Sequence, residues 1–482
     1  MKSNFKRIMT LLFAVIIVAS ACLLASCGGD KGDGTPAQNS DQPAKSYTVS
    51  VATPMDLGPV SAKKVGAKDG GTAYAFTVKP KVGYEVKSFQ INGQEVALDD
   101  NKVECVLKAD ASVSVFYQRK NSEELQKRRQ TVVDKMKVYT STFFKYDKTY
   151  TYILHDKTIT LEAGKLHAGL PYTMYAATSP DAFIDFAIRQ DPDGAYVIAP
   201  PSGTNPFYWG GSCGNAAFFA WASVSSTIRF TYSADMLEKN GAIPVGVWSF
   251  DPATDIYNNV KFNDTKKICE NNGINTMYEA YTYLMPGDAI TYISPEGNHV
   301  VIVSDIRVAR RNDGTIDPSK SQITYMDQHG GWNNSSFSGG KNAYTSCNSN
   351  GTMNFFDMYD TGYLPVSCIE LLDDSQPLAK AEVIDSIKGD TLSLINVTRG
   401  YVEANYAISK VVMEIFDANG AVVYKGTRYT NESAPQRVGF STFTTPDAEL
   451  MKGVYTDVLN MDALASGTYR QVVTAYLTNG EN

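Results

Sequence analysis

The sequence predicts a chain of several domains, with a central α+β domain between a small N-terminal all-β module and a C-terminal β-sandwich. The chain has 482 residues, which is more than one hydrophobic core usually organises. Apolar and polar residues alternate near both ends, as is typical of half-buried strands. Between these ends, a cysteine begins an apolar helical segment, and strands that carry histidine and aspartate follow it.

The composition indicates ordinary globular protein. Hydrophobic residues make up 43% and charged residues 20% of the chain, which excludes a wholly disordered protein. The net charge of −7 argues against a nucleic-acid partner. The seven cysteines have no CxxC spacing, so the sequence contains no zinc ribbon and no CxxC redox motif. We also expect no metal and no cofactor. Histidine chemistry is confined to four positions: His155, His167, His299 and His329.

Residues 1–27 have the pattern of a secretory signal peptide, in which basic side chains precede the apolar run 8–25. The run ends in Leu-Ala-Ser-Cys, which resembles the lipobox of bacterial lipoproteins. The resemblance implies lipidation of Cys27 and a place in the cell envelope, on the outer-membrane, periplasmic or surface face. A transmembrane anchor is the alternative, because the run is just long enough to span a bilayer. Residues 28–45, rich in Gly, Asp, Pro, Gln and Ser, predict a flexible tether.

Residues 46–119 predict the small N-terminal β module. Alternating strands are separated by glycine-containing turns such as Asn92-Gly93. The segment 80–94 places a Gly-Tyr pair before an aromatic strand and an Asn-Gly turn, and resembles the internalin B-repeat. This resemblance implies a spacer or adhesion module. The strands are predicted at 47–51, 73–78 and 113–117.

Residues 374–482 predict the C-terminal module, an Ig-like sandwich of alternating strands. The segment Asp417-Ala418-Asn419-Gly420 predicts a hairpin turn. No titratable cluster stands out in this module, so binding or spacing is its expected role. The strands are predicted at 391–397, 411–416, 421–424 and 471–477.

Residues 120–373 form the predicted central domain. Its first helix is capped at Ser122 and has one apolar face, made by Leu125, Val132, Val133 and Met136. A short helix is predicted at 181–187. The region 230–277 shows little pattern, and its length favours an insertion or a cap over a groove. His155 and His167 have no cysteine or carboxylate at ligand spacing, so we interpret both as structural or surface residues.

Cys213 lies where a Gly/Ser-rich turn, 209–215, meets the apolar segment 216–224. A helix that is apolar on all sides is buried. The N–H groups and the dipole at a helix N-terminus lower a thiol pKa and favour the nucleophilic thiolate. The alternative is a buried structural cysteine. The same structural role is expected for the other cysteines outside the signal peptide, Cys105, Cys269, Cys347 and Cys368. In an oxidising compartment, Cys347 and Cys368 could form a disulfide.

His299 begins a predicted strand, 299–304, and Asp327 ends the next one, 323–327. A Cys/His/acid set predicts a thiol hydrolase, with Cys213 as nucleophile, His299 as base and acid, and Asp327 as the group that orients the imidazole. The backbone N–H of Cys213 is a candidate oxyanion donor. Gln328 and His329 also compete for the orienting role. Strand alternation puts Asp327 and His329 on one side, which leaves this choice open.

Three motifs together resemble the NlpC-type papain-like cysteine peptidases: Tyr208-Trp209-Gly210-Gly211 before the Ser-Cys helix, Met285-Pro286-Gly287-Asp288 before a strand, and Asn298-His299-Val300-Val301-Ile302. The resemblance implies a papain-like fold for the central domain. It also implies cleavage of an amide bond in peptidoglycan stem peptides, commonly the γ-D-glutamyl–diamino-acid bond. The family uses a tyrosine near the oxyanion site, a role that falls to Tyr172 or Tyr208.

Two other interpretations remain. His299, Asp327 and His329 are a possible metal-ligand set, although they lack the helical spacing of common zinc motifs. The chain is alternatively a non-catalytic surface lipoprotein for adhesion or binding, with a degenerate papain-like domain. Ser212 and Gly214 favour this second interpretation, because the family has Asp and Ser at those positions.

Overall fold

The computed structural model is a multi-sheet, mostly β protein. The structure describes residues 47–52, 57–154, 157–173, 179–199, 210–228, 241–249, 264–295, 297–337, 341–375, 381–385, 399–429, 436–441 and 465–479. The predicted signal peptide, the tether, Cys27, His155, Tyr208 and the strand predicted at 391–397 lie outside these residues, as does part of 230–277. Ser46–Asn482 forms one compact unit.

The N-terminal module consists of two small sheets around one core. One sheet has the order β1-β7-β4-β5 and the other β2-β3-β6. Phe76 from one sheet packs with Phe89 and Val115 from the other, and all three are buried. The strands are β1 (Val49–Ala52), β2 (Val60–Lys68), β3 (Gly71–Val78), β4 (Tyr84–Ile91), β5 (Gln94–Glu95), β6 (Lys102–Leu107) and β7 (Ala111–Arg119).

A mixed sheet of ten strands organises the central part of the described chain. Its strands are β8 (Phe143–Tyr146), β11 (His167–Ala168), β12 (Ala187–Gln190), β13 (Tyr196–Ile198), β14 (Ala242–Pro244), β15 (Ala289–Ser294), β16 (Gly297–Arg307), β17 (Gln322–Ser336), β18 (Asn342–Asn354) and β19 (Leu364–Cys368). The order is β12-β13-β8-β11-β18-β17-β16-β15-β19-β14, with β15 to β18 antiparallel. A hairpin, β9 (Tyr150–Leu154) and β10 (Lys157–Leu161), stands apart.

The first helix, α1 (Glu123–Ser141), begins where its cap predicts. The Ser122 hydroxyl accepts the backbone N–H of Leu125 at 3.3 Å, and Val132 and Met136 are buried on the predicted face. Among the described residues, no helix is both long and apolar enough to cross a membrane. The other helices are α2 (Pro180–Asp185), α3 (Cys213–Ala222), α4 (Thr265–Asn272), α5 (Ile274–Tyr281) and α6 (Phe355–Thr361).

The weak pattern of 230–277 predicts no particular helix or strand, and the structure shows that its last part belongs to α4 and α5. Gly273, at φ +83°, separates the two helices. Cys269, Met277 and Tyr281 are fully buried in the central core. Each helix has only eight residues, so neither shows enough turns to produce a helical period in the sequence.

The C-terminal module has two three-stranded sheets, β20-β21-β24 and β23-β22-β25, in the described residues. Val402 and Val438 from the first sheet share a buried core with Ile408 and Val411 from the second. Asp417 closes the predicted hairpin by accepting the N–H of Gly420 at 3.0 Å. The strands are β20 (Ala381–Asp385), β21 (Arg399–Ala404), β22 (Ile408–Phe416), β23 (Val422–Tyr429), β24 (Arg437–Ser441) and β25 (Arg470–Leu477).

A buried ion pair joins the N-terminal module to the central sheet. Both Arg119, at the end of β7, and Asp288, just before β15, are buried, and their side chains meet at 2.9 and 3.3 Å. Asp288 also accepts the N–H of Met285 at 2.8 Å and the hydroxyl of Ser367. Burial by itself lowers the pKa of Arg119, but the adjacent carboxylate outweighs it and raises that pKa.

Replacing Asp288 with asparagine preserves the shape of this site and removes its negative charge. The guanidinium of Arg119 then stays buried without a counter-charge, so we expect the free energy of unfolding to fall by about 3–5 kcal/mol. Urea unfolding at equilibrium measures this. The control is Asp360→Asn, in an exposed pair with Lys266 at 3.2 Å, which should cost less than about 1 kcal/mol. Equal losses in the two variants would contradict the prediction.

Candidate active site

The turn before Cys213 requires both of its glycines. Gly211 donates its N–H to the Pro171 carbonyl at 3.1 Å and accepts the N–H of Thr173 at 3.0 Å. A Cβ at Gly211 would lie 2.3 Å from the Tyr139 hydroxyl, and a Cβ at Gly210 would lie 2.0 Å from the Pro171 carbonyl oxygen. Gly210 also has φ +142°. The close approach of two chain segments therefore accounts for the Gly-Gly pair.

Asn215 fixes the first turn of α3. Its side-chain oxygen accepts the backbone N–H of Ser212 at 2.7 Å and the Ser212 hydroxyl at 3.0 Å. Cys213 is the first residue of the helix and is 6% exposed, and every residue of α3 is buried, as the apolar sequence predicts. The thiol is thus held at a helix N-terminus, where a negative charge is favoured.

Trp221 links the cysteine helix to the Pro-Gly turn before β15. Its indole N–H donates to the Gly287 carbonyl at 2.7 Å. The Gly287 N–H in turn donates to the Val303 carbonyl on β16 at 2.8 Å. The cysteine helix is therefore in direct contact with the Met-Pro-Gly-Asp motif, and through this motif it is anchored to the strand that carries His299.

The structure brings Cys213, His299 and Asp327 together. His299 Nε2 and Asp327 Oδ2 lie 2.6 Å apart across the antiparallel strands β16 and β17. The other Asp327 oxygen accepts the N–H of Asn348 at 3.2 Å, which fixes the carboxylate. The Cys213 side chain lies beside the His299 ring, and its hydrogen bond and charge raise the His299 pKa.

The charged form of His299 is strongly favoured. Burial opposes the imidazolium, but the hydrogen bonds and charges of Asp327 and Cys213 outweigh it and raise the His299 pKa to about 10. The His299 side chain is 19% exposed and that of Asp327 is 4% exposed. The ring therefore has polar neighbours and limited access to solvent, which suits proton transfer.

The strand that carries Asp327 is longer than predicted. We expected it to end at Asp327, but β17 continues to Ser336 and pairs with β18 along this extension. The register shifts between Gln328 and Asn333, which accommodates the glycine pair Gly330-Gly331. The polar, glycine-containing sequence gives no strand period, so only pairing with β18 produces the extension.

Asp327, rather than its two neighbours, contacts His299. Gln328 points away from the site, is fully buried, and donates to the Leu170 carbonyl at 2.7 Å. His329 Nδ1 accepts the N–H of Gly331 at 3.1 Å, and burial lowers its pKa. His329 therefore lies beside the pair with its Nδ1 already engaged by Gly331.

Tyr172 lies beside the cysteine turn. It forms a β-bridge with Gly211, and its N–H donates to the Ser346 hydroxyl at 3.1 Å. Burial, together with the nearby charge of Cys213, raises the Tyr172 pKa to about 12. The phenol therefore remains a protonated hydrogen-bond donor near the sulfur at neutral pH.

Several residues of the site were not identified from the sequence. Tyr292 pairs directly with His299 across β15 and β16, and its ring contacts Tyr363 at 4.9 Å between centroids. Asn215 had a signal, because a polar residue three positions after a serine cap is typical of a capping box. Tyr363 had none, since it reaches the site from the start of β19.

The remaining histidine and cysteine candidates have structural positions. His167 is fully buried, stacks on Phe144 at 5.1 Å, and contacts the Lys165 carbonyl at 2.8 Å. Burial lowers its pKa to about 4. Cys347 and Cys368 are free thiols on β18 and β19, with three strands between them. The possible disulfide between them is therefore excluded by distance.

The alternative metal site finds no support in the described part of the chain. No group of three or more His, Cys, Asp or Glu side chains there is arranged to hold a metal ion. His299 and Asp327 instead hydrogen-bond to each other.

No family model, curated protein or solved structure matches this chain.

Replacing Asp327 with asparagine should lower the His299 pKa by more than about one unit, because the carboxylate stabilises the imidazolium. NMR titration of the four histidine rings measures this. A raised pKa contributes stability below the unfolded value near 6.5 that is lost as pH rises through about 10. The difference in unfolding free energy between the wild type and Asp327→Asn should therefore decrease as the pH rises from about 6.5 to about 10. Asp313→Asn, at an exposed site, is the control, and an unchanged His299 midpoint in Asp327→Asn would refute the assignment.

Proposed function

We propose that this chain is a cell-envelope cysteine hydrolase that cleaves an amide bond through an acyl-enzyme intermediate. The observation that carries the proposal is the contact series from the Cys213 thiol to the His299 ring to the Asp327 carboxylate, with 2.6 Å between the last two. A nucleophile, a base within hydrogen-bond reach and a group that orients the base are the three parts that thiol catalysis needs.

The proposed chemistry begins with a thiolate–imidazolium pair. Asp327 hydrogen-bonds to Nε2 of His299, so Nδ1 is the ring nitrogen that accepts the proton of the Cys213 thiol. A His299 pKa of about 10 favours the imidazolium at neutral pH. The thiolate attacks the carbonyl carbon and forms the C–S bond, and His299 gives its proton to the nitrogen as the C–N bond breaks. The neutral His299 then removes a proton from water, which attacks the thioester; the C–S bond breaks, the carboxylic acid leaves, and the thiolate–imidazolium pair is restored.

The negative oxygen that develops during attack needs donors on the same side as the sulfur. The backbone N–H groups at the start of α3 point in this direction because Cys213 is the first helical residue. The phenol of Tyr172, which stays protonated at neutral pH, is proposed as a further donor. Tyr208, the other candidate, lies outside the described residues.

The substrate is proposed to be a peptidoglycan stem peptide, with the γ-D-glutamyl–diamino-acid bond as the first candidate. Support comes from the resemblance to NlpC-type peptidases and from a helix that begins at the cysteine and lies next to the antiparallel strands that carry the histidine and the aspartate. Lipidation at Cys27 is proposed to anchor the enzyme to a membrane of the cell envelope. This anchor fits a substrate that is itself part of the envelope.

A second candidate is a non-catalytic surface lipoprotein for adhesion. Two β modules flank the central domain, and the Cys213 residue is only 6% exposed. Both features are compatible with a protein that binds rather than cleaves. The Cys213–His299–Asp327 series argues against this second candidate, because a degenerate site has no need to keep a buried carboxylate aligned with a histidine.

The decisive experiment incubates the purified chain with stem peptides and follows the release of free amine by mass spectrometry. Cys213→Ala should lower turnover by about 10⁴-fold or more, because it removes the nucleophile. Cys105→Ala is the matched control, since Cys105 lies in the N-terminal module on β6, and it should leave turnover unchanged.

Two results would argue for the adhesion protein instead. One is the absence of cleavage by the wild-type chain on any stem peptide tested. The other is slow reaction of Cys213 with iodoacetamide at neutral pH, at the rate of an ordinary thiol, because an active site would hold it as the thiolate.

A further inference from the structure

The carboxyl end of the nucleophile helix α3 has an unusual set of partners. The last carbonyls of a helix find no N–H donor within the helix and need donors from elsewhere. Two of these carbonyls are satisfied locally: Ala220 accepts the N–H of Ser223, and Trp221 accepts the N–H groups of Val224 and Ser225 at 3.0 and 2.8 Å.

The next two partners come from the C-terminal module. The Thr478 hydroxyl donates to the Ala222 carbonyl at 2.7 Å, and the Tyr406 hydroxyl donates to the Val224 carbonyl at 2.9 Å. Thr478 is 3% and Tyr406 7% exposed, so both hydrogen bonds are shielded from water. Water therefore has little access to replace either hydroxyl if it is removed.

The loop that follows α3 is held in the same way. Gln436, from the C-terminal module, donates to the Ser226 carbonyl at 2.8 Å. The buried carboxylate of Glu370 accepts the N–H of Ser226 at 2.9 Å and that of Thr227 at 3.1 Å. The end of the helix and its loop are thus fixed through hydrogen bonds to groups distant in the sequence.

Such contacts matter for Cys213 because α3 is short. Its ten residues span about 15 Å, and a helix of this length moves as one rigid body. A displacement of its carboxyl end therefore displaces its first residue. A thiol that is misplaced by about 1 Å from its base loses much of its reactivity.

We propose that the C-terminal β module is a positioning element of the hydrolase, in which the hydroxyls of Thr478 and Tyr406 hold the end of α3 and so keep Cys213 aligned with His299. The inference rests on the proposed function, because alignment matters only if Cys213 reacts. It assigns to this module a role different from the binding or spacing expected from its sequence. Thr478 and Tyr406 are positioning residues, since neither contacts the site itself.

The test uses the full chain and the double variant Thr478→Val, Tyr406→Phe, which removes both hydroxyls with little change of shape. The rate at which iodoacetamide alkylates Cys213 is measured by peptide mass spectrometry between pH 5 and 10. We expect the alkylation rate at neutral pH to fall by at least about tenfold, because the thiolate loses its aligned imidazolium. For the same reason, we expect the midpoint of the pH–rate profile to move to higher pH.

Two further variants separate positioning from general stability. Thr478→Ser in the Tyr406 wild-type background keeps the hydroxyl and should alkylate within about twofold of the wild type. Thr474→Val removes a hydroxyl from β25 that makes no hydrogen bond to α3 in the described chain, and it should leave the profile unchanged. Thermal unfolding of each variant is recorded alongside. A lower melting temperature with an unchanged pH–rate profile would mean a purely structural role and would overturn the inference.

The outcomes distinguish this inference from the proposed function. An unreactive Cys213 in the wild type would overturn both. A reactive wild-type Cys213 together with an unchanged profile in the double variant would overturn the inference alone. If the double variant does not fold, Tyr406→Phe by itself carries the same measurement, with a smaller loss of rate expected and no change counting against the inference.

Discussion

The buried carboxylate of Asp288 is the constraint on which the rest of the central structure depends. It is fully buried and accepts hydrogen bonds from Arg119, Met285 and Ser367, which belong to the N-terminal module, to its own turn and to β19. A buried charge is tolerated only when its partners are complete, so these three segments must meet. The adjacent Gly287 carbonyl then receives Trp221, which sets the position of the cysteine helix.

The candidate site follows from this frame. With α3 anchored against the turn before β15, its first residue faces the neighbouring strand β16, which carries His299. The antiparallel pairing of β16 with β17 brings the Asp327 carboxylate to the imidazole, with 2.6 Å between Oδ2 and Nε2. The three side chains of the candidate site thus lie on three elements, and each element is held by buried contacts that also belong to the core.

The two flanking β modules are parts of this same arrangement in the described chain. Arg119 connects the first of them to the turn that carries Asp288, and Thr478 and Tyr406 connect the second to the end of α3. Both connections use buried polar groups, which are costly to separate because each would lose its partner without gaining water. Spacer modules on flexible linkers would lack contacts of this kind.

Much of the local structure was predictable, because it depends on neighbours in the sequence. The Ser122 cap predicts the start of α1, and the apolar run after Cys213 predicts a buried helix. The short helices α4 and α5 were missed because eight residues carry too little period. The extension of β17 was missed because its strand state comes from pairing with β18.

The sequence by itself determined which residue types are present and on which kind of element each lies: a cysteine at a helix start, a histidine and an aspartate on successive strands. Only the tertiary structure decided that Asp327, and not His329, contacts His299, because strand alternation puts both on one side and the register of β16 against β17 chooses between them. It also decided how the flanking modules attach. Those contacts join residues far apart in the chain, and packing rather than local pattern determines which of them meet.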